Sequence, residues 1–102
     1  MLFVFVSIAI LYQIMNEAIE NKVRAVAVNI RKIRESKDYT QDYLAIKLAI
    51  SQNAYSKIEL GYTKITVERL FQIAHILEVD LVHLINGDAG QPHLLQANSN
   101  NL

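Results

Sequence analysis

Four hydrogen-bonding side chains share one side of the segment SQNAYSKIE, residues 51–59, when it is drawn as a helix with about 100° between residues: Gln52, Asn53, Ser56 and Lys57. Amide side chains can pair with N6 and N7 of adenine, and a lysine can bond O6 and N7 of guanine or a phosphate. Acids, which phosphates would repel, are absent from this side. The pattern therefore favours a helix that reads base edges in a major groove, although a solvated polar face that binds nothing would show the same pattern.

The helix that carries these groups is predicted to lie among four others. Four residues stand where helix N-caps are expected: Thr40, Ser51, Thr66 and Asp80. Gly61 is placed to end the third helix. Apolar residues at helical spacing should form the inner faces of the first and fourth helices: Val23, Val26, Ile30, Ile33, Leu70, Phe71, Ala74 and Leu77. We therefore predict an all-α fold of five short helices without strands, spanning residues 18–87.

The second and third helices are joined by a very short turn, Ala49–Ile50–Ser51. Such a turn forces the two helices to cross steeply, which is the helix-turn-helix geometry. Close packing at the crossing needs a small side chain, and Ala45 supplies one. The outer side of the third helix, which carries Gln52 and Asn53, is then left free for a ligand.

Composition and charge limit the class of protein. The chain has 102 residues and no cysteine, which excludes disulfides, thiol catalysis and zinc sites that use cysteine. Its net charge is zero, but all ten lysines and arginines lie between Lys22 and Arg69 together with only five of the ten acids. That span therefore carries +5 and the flanks carry −5. A basic centre of this kind suggests a surface that faces a polyanion.

No catalytic or metal-binding pattern is recognised in the sequence. The histidines His75, His83 and His93 are not at metal-ligand spacing, and surface positions suit them better. A Ser–His–acid set, a glycine-rich phosphate loop and a paired-carboxylate cleft are all unrecognised. We therefore expect no enzyme activity, no metal, no cofactor and no small-molecule substrate.

The two ends of the chain differ from its centre. The opening run MLFVFVSIAILYQIM is uncharged, but Asn16 and Glu17 follow too early for a transmembrane helix of about 20 apolar residues, and no basic residue precedes the run as in a secretory signal. Residues 1–17 are thus predicted to be an apolar extension. Met15 is favoured as the true translation start over a membrane-associating segment or a dimerising or core-packing helix, and a membrane partner is not expected. Residues 88–102 are predicted to be a short flexible tail.

The run TQDYLAIKLAISQNAYSKIELGYTKITVERLFQIAHILEVDLVHLI resembles the lambda-repressor-like, XRE-type (Cro/repressor) helix-turn-helix family. The resemblance covers residues 24–87, and its matching points keep one register: Arg34, Thr40–Gln41, Leu44–Ala45, Ser51–Gln52, Ser56, Ile58–Glu59, Gly61 and the closing LEVDLVHLI. It implies a compact five-helix domain of a bacterial or phage-type cytoplasmic regulator. Such a domain would bind double-stranded operator DNA, usually as a homodimer on a palindromic site.

The resemblance also assigns roles to single residues of this chain. Those expected to read bases are Gln52, Asn53, Lys57 and, more peripherally, Ser56. Those expected at the DNA backbone are Gln41, Lys64 and, if its hydroxyl reaches the surface, Tyr55. Arg34 is expected to pair with Glu59 in a structural ion pair that links the first helix to the third.

Some residues depart from the family pattern. Ala49 stands where the family's turn commonly has glycine, which is tolerable if its backbone stays near helical values. Tyr43, Ile46 and Leu60 are more apolar than is usual at their positions, which leaves open an alternative function as a protein-interaction module or antitoxin-like protein, with a membrane-associated version through residues 1–14. The expected dimer patch is an apolar edge near the end of the domain: Val79, Leu81, Val82 and Ile85.

Overall fold

Five helices make up the regular structure of residues 1–87, which are the residues described by the computed structural model. They are α1 (Leu2–Ser36), α2 (Gln41–Leu48), α3 (Gln52–Glu59), α4 (Val67–Leu77) and α5 (Leu81–Asn86). The described range contains no strand, so the prediction of an all-α, five-helix fold is confirmed. The predicted tail, residues 88–102, and His93 within it lie outside the described residues.

Side-chain caps begin three of the helices at the predicted positions. Each of three hydroxyls accepts a 3.0 Å hydrogen bond from the backbone N–H three residues on: Thr40, Ser51 and Thr66. Asp80 holds the N-cap position of α5, but its side chain makes no capping bond, and its carbonyl accepts from His83 N–H at 2.9 Å instead. Gly61, at φ +77°, ends α3 as predicted, because its left-handed backbone brings Tyr62 N–H to the Lys57 carbonyl at 2.9 Å.

The core lies where the C-terminal part of α1 meets the other four helices. Its buried side chains are Ile30, Ile33, Leu44, Ala45, Leu48, Tyr55, Ile58, Ile73, Ala74, Leu77 and Leu84. Two residues predicted to face inward are exposed instead. Phe71 is 57% exposed because Ile73 takes the inner position of α4 beside Ala74. Val23 is exposed because the part of α1 that packs against the other helices begins only at Val26.

The first helix is far longer than predicted. It holds 35 residues without a break, which is about 52 Å at 1.5 Å per residue. The prediction of a short helix that begins near residue 18 is therefore wrong in its start, since no glycine or proline precedes Gly61 to end an earlier helix. Every residue from Met1 to Ala25 is exposed except the half-buried Asn16, so the core-packing interpretation of the apolar extension is also wrong.

The turn between α2 and α3 is built on a left-handed alanine. Ala49 has φ +59° and ψ +42°, so the condition under which an alanine would be tolerated without strain, a backbone near helical values, is not met. This conformation lets the N–H of Ile50 return to the carbonyl of Ala45 at 3.0 Å. For a residue with a Cβ, it costs about 1–2 kcal/mol. The steep crossing of α2 and α3 is thus kept in spite of the missing glycine.

Candidate nucleic-acid interface

The outer side of α3 is open to solvent as its helical pattern predicts. Gln52, Asn53 and Lys57 are exposed, and Ser56 is half-buried. On the inner side, Tyr55 is completely buried. The four side chains expected to read bases therefore share one accessible surface on a helix whose other side is fixed in the core.

A groove of about 330 Å³ lies between α3 and the start of α4. Its polar lining includes Asn53, Lys57, Lys64 and Arg69. Lys64, the loop residue predicted to lie near DNA, is exposed at the rim. Arg69 was not singled out from the sequence, although its position three residues after the cap Thr66 was a usable signal. That spacing places it in the first turn of α4, beside the loop that carries Lys64. Three cations and an amide thus converge at the edge of α3.

A buried hydrogen-bond network holds α3 to α1 and α2. Both carboxylate oxygens of Glu59 accept from the Arg34 guanidinium, Oε2 from Nε at 2.6 Å and Oε1 from Nη2 at 3.0 Å. Oε1 also accepts from Gln41 at 3.1 Å, and Oε2 from the Tyr55 hydroxyl at 2.5 Å. The remaining Nη1 of Arg34 donates to the carbonyl of Tyr39 at 2.7 Å. The predicted pair of Arg34 and Glu59 is therefore present and belongs to a larger network that fills the acceptor sites of the carboxylate.

The network sets the charge states of its members. Burial raises the pKa of Glu59, but the hydrogen bonds from Arg34, Tyr55 and Gln41 outweigh it, so the net pKa is lowered and the carboxylate is charged. The hydrogen bond to Glu59 raises the pKa of Arg34 against the opposing effect of burial. Burial, followed by the bond to Glu59, raises the pKa of Tyr55 far above its usual value. At neutral pH the network is one carboxylate, one guanidinium and one neutral phenol.

Two residues predicted to touch the DNA backbone have different positions from those expected. Tyr55 is wrong as a phosphate contact, because it is 0% exposed and its hydroxyl is held by Glu59 inside the protein. Gln41 is half-buried, and its amide nitrogen donates to the same carboxylate. An amide NH₂ group has two N–H donors, so one donor of Gln41 stays available at the start of α2.

Family comparison agrees with this arrangement of helices. The family described as "Helix-turn-helix" matches residues 30–84, which run from the buried end of α1 through α5. The chain belongs to this family. In this helix-turn-helix protein, α2 and α3 are the paired helices, and the resemblance to lambda-repressor-like, XRE-type proteins is confirmed.

A curated relative gives a similar result. The chain is 36% identical over 63 residues to YqaE of Bacillus subtilis (strain 168), which is named an uncharacterized HTH-type transcriptional regulator. The aligned part covers 62% of this chain and 54% of that protein, so the helix-turn-helix chain spans about half the length of its relative. No solved structure matches the chain.

The described residues offer no alternative site of metal chemistry. Within residues 1–87, no three histidine, aspartate or glutamate side chains are grouped so that they could hold a metal ion. His75 is exposed on α4, whereas His83 is half-buried on α5. Neither histidine lies on the outer side of α3 or lines the groove that adjoins it.

Proposed function

We propose that the chain is a sequence-specific transcriptional regulator that binds double-stranded DNA and reads the major groove with α3. The observation that carries this proposal is the exposed side of α3, where two amides and a lysine project from a helix fixed by the Glu59 network. Family membership supports it independently. Accordingly, the regulator acts in the cytoplasm and has no catalytic role.

Base recognition is assigned to Gln52, Asn53 and Lys57, with Ser56 at the periphery. Each amide matches the donor–acceptor edge of adenine, and Lys57 matches guanine or a phosphate. A good bidentate contact contributes about 1–3 kcal/mol of discrimination against the wrong base. Because the network fixes the rotation of α3 about its own axis, these side chains meet the groove in one register.

The contacts with phosphates are assigned to two places. One is the start of α2, and the other is the loop after α3 together with the first turn of α4. At the start of α2, the second N–H of Gln41 and the free backbone N–H groups of the first turn can donate to a phosphate. On the other side of α3, Lys64 and Arg69 line the groove that adjoins the reading surface. Contacts of this kind fix register and make affinity depend on salt.

A homodimer on a palindromic operator is the second part of the proposal. One short helix reads few base pairs, and a two-fold dimer with half-sites about 34 Å apart doubles the number read. The surface of α5 suits this contact, because Val82 and Ile85 are exposed while Val79 and Leu81 pack partly against the core. This apolar edge therefore presents two exposed side chains, Val82 and Ile85, while the core packing of Val79 and Leu81 holds the backbone in place.

The test is selection of binding sites from a random duplex pool, followed by titration of the selected site and of random duplex at two salt concentrations. We expect an enriched sequence with two-fold symmetry, bound more tightly than random duplex. Affinity for both duplexes should fall as salt rises. The absence of any enriched sequence, together with no binding at low salt, would contradict the proposal.

That negative result would favour a second function, in which the domain docks a protein in the manner of an antitoxin. The favouring observation is the apolar surface of α2 and α4, where Ile46 is 68% exposed and Phe71 lines a groove of about 370 Å³ with Leu48 and Ile76. Tyr43 contributes less than its sequence position indicates, because its ring packs at 4.6 Å against Tyr39.

A further inference from the structure

Residues 2–15 of α1 form an uncharged, apolar helical segment in which no side chain is buried against another helix of residues 1–87. Its large exposed residues are Leu2, Phe3, Val4, Phe5, Val6, Ile8, Ile10, Leu11, Tyr12, Ile14 and Met15. No charged side chain occurs before Glu17. Within residues 1–87 nothing covers this surface, so shielding it from water requires a partner outside those residues.

The distribution of these residues around the helix identifies the partner. A helix that packs on one other helix has an apolar stripe and a polar side, and a helix that lies in a membrane surface has a strongly polar face. Residues 2–15 have neither, since their polar side chains are only Ser7, Tyr12 and Gln13. A helix that is apolar all round is surrounded by apolar material. A lipid bilayer provides that environment on every side.

The length of the helix fits a bilayer when it is measured along the structure. The uninterrupted run of apolar residues is shorter than a bilayer-spanning helix needs, because Asn16 and Glu17 interrupt it. The helix continues unbroken past both residues, so the 18 residues from Leu2 to Ile19 form one rod of about 27 Å. That length is close to the hydrocarbon thickness of about 30 Å, and a small shortfall is absorbed by thinning of the bilayer. Glu17 lies within one turn of the end, where its carboxylate reaches the head groups.

The charges give the orientation. All ten lysines and arginines follow the apolar segment, and Lys22 and Arg24 come directly after it. Positively charged flanks stay on the cytoplasmic side of a membrane. This places the helix-turn-helix domain in the cytoplasm, on the same side as the DNA.

We propose that residues 2–19 span a lipid bilayer and anchor the helix-turn-helix domain at its cytoplasmic face. The contact is independent of DNA binding, because it uses none of the residues on α3 or in its groove. Anchor and reading surface are joined by one continuous helix, α1, which ends in the core at Ile33 and Arg34. The domain would therefore be held at the membrane without a flexible linker.

The test is flotation of the full chain with vesicles of pure phosphatidylcholine, which has no net charge. We expect the protein to float with the vesicles and to stay bound in about 1 M NaCl, where the screening length is only about 3 Å. Ile10→Asp places a charge at the centre of the span and should weaken partition by about 100-fold. Ile46→Asp is the matched control, because Ile10 and Ile46 are 53% and 68% exposed and only Ile10 lies in the segment.

Duplex binding by each variant is measured in parallel, so loss of flotation with DNA binding intact shows that the domain is folded. The proposal is overturned if the full chain does not float, if Ile10→Asp floats equally well, or if salt strips the protein from the vesicles. It is also overturned if sedimentation without lipid shows self-association that Ile10→Asp abolishes while flotation is absent, since a second copy would then cover the segment.

Orientation is tested with single cysteines, for which the cysteine-free chain is well suited. In spheroplasts that express the full chain, a membrane-impermeant maleimide should label Leu2→Cys and leave Ser36→Cys unlabelled. Labelling of Ser36→Cys, or of neither position, would overturn the proposed topology.

Discussion

The carboxylate of Glu59 accepts four hydrogen bonds from three side chains, so its removal affects all of them. Glu59→Ala leaves the Arg34 guanidinium buried without its counter-charge. We expect the free energy of unfolding to fall by about 3–5 kcal/mol, measured by urea denaturation. Glu20→Ala is the control, because Glu20 is exposed on α1 and substitution of an exposed residue outside such a network changes stability by about 0.5 kcal/mol or less. Equal losses for the two variants would show that the network is not closed to water.

Tyr55 makes stability depend on alkaline pH. Its raised pKa means that the unfolded chain releases the phenol proton first, at about pH 10, while the folded chain retains it. The unfolded state then binds fewer protons, so the free energy of unfolding should fall by up to about 1.4 kcal/mol per pH unit above that point. In Tyr55→Phe this contribution should disappear. Urea denaturation of both proteins between pH 9 and pH 11 provides the comparison, and parallel curves would exclude the effect.

Gln52 lies at the first position of α3, fully outside the network. Under the proposed function, Gln52→Ala should relax preference at one base position of each half-site. Binding to random duplex should stay nearly unchanged, because Gln52 is assigned to a base and not to a phosphate. Quantitative binding to a set of single-base operator variants measures this. Gln13→Ala, an exposed glutamine on the far part of α1, is the control. A uniform loss over all sequences would make Gln52 a phosphate contact.

At the scale of elements, the α2–α3 turn is one site of backbone strain. Ala49→Gly removes the clash of Cβ in the left-handed conformation and should raise the free energy of unfolding by about 1 kcal/mol. Ala25→Gly is the control, since Ala25 is exposed inside α1 and the same change there should lower stability by about 1 kcal/mol. Thermal or urea unfolding distinguishes the two. A loss of stability in both variants would show that Ala49 is not strained.

The elements themselves were largely predictable from local chemistry. Thr40, Ser51 and Thr66 each place an oxygen where free backbone N–H groups need an acceptor, and Gly61 supplies a left-handed end. Each of these requirements depends on residues within about one helical turn, so the starts and ends of the helices can be predicted from the local sequence alone. The left-handed backbone of Ala49 was missed because an alanine gives no local signal for it. The glycine that the family commonly has at this position was the available signal, and the hydrogen bond from Ile50 N–H to the Ala45 carbonyl shows what the left-handed backbone achieves.

Tertiary placement was less predictable because it depends on distant partners. The ring of Tyr55 was correctly expected to pack, but its hydroxyl was expected at the surface. The neighbouring residues do not indicate how deeply the Arg34–Glu59 pair is buried, and that burial is what brings the hydroxyl to Glu59 inside the protein. In α4, the periodicity admits either Phe71 or Ile73 at the inner edge, and the position of the neighbouring helices favours Ile73. The roles of Gln52, Asn53, Lys57 and Ser56 at DNA stay predictions.

At the scale of the whole molecule, the proposed dimer makes its own prediction. Val82→Glu puts a charge on the outer surface of α5 and should weaken self-association, because an apolar contact would then contain an unpaired carboxylate. Affinity for a two-half-site operator should fall with it, whereas affinity for random duplex should change little. Sedimentation equilibrium measures the association. Ile46→Glu is the control on the exposed side of α2, and an equal effect there would exclude α5 as the specific contact.

The projecting half of α1 also governs how the molecule diffuses. Its radius of gyration is 17.6 Å, whereas a compact chain of about 100 residues has about 13 Å. A rod attached to a small body raises hydrodynamic friction without adding mass, so a monomer will leave a gel-filtration column early, in the position of a heavier globular protein. By elution volume alone, an elongated monomer would therefore look like the proposed dimer. Only a mass-based measurement separates elongation from association in this chain.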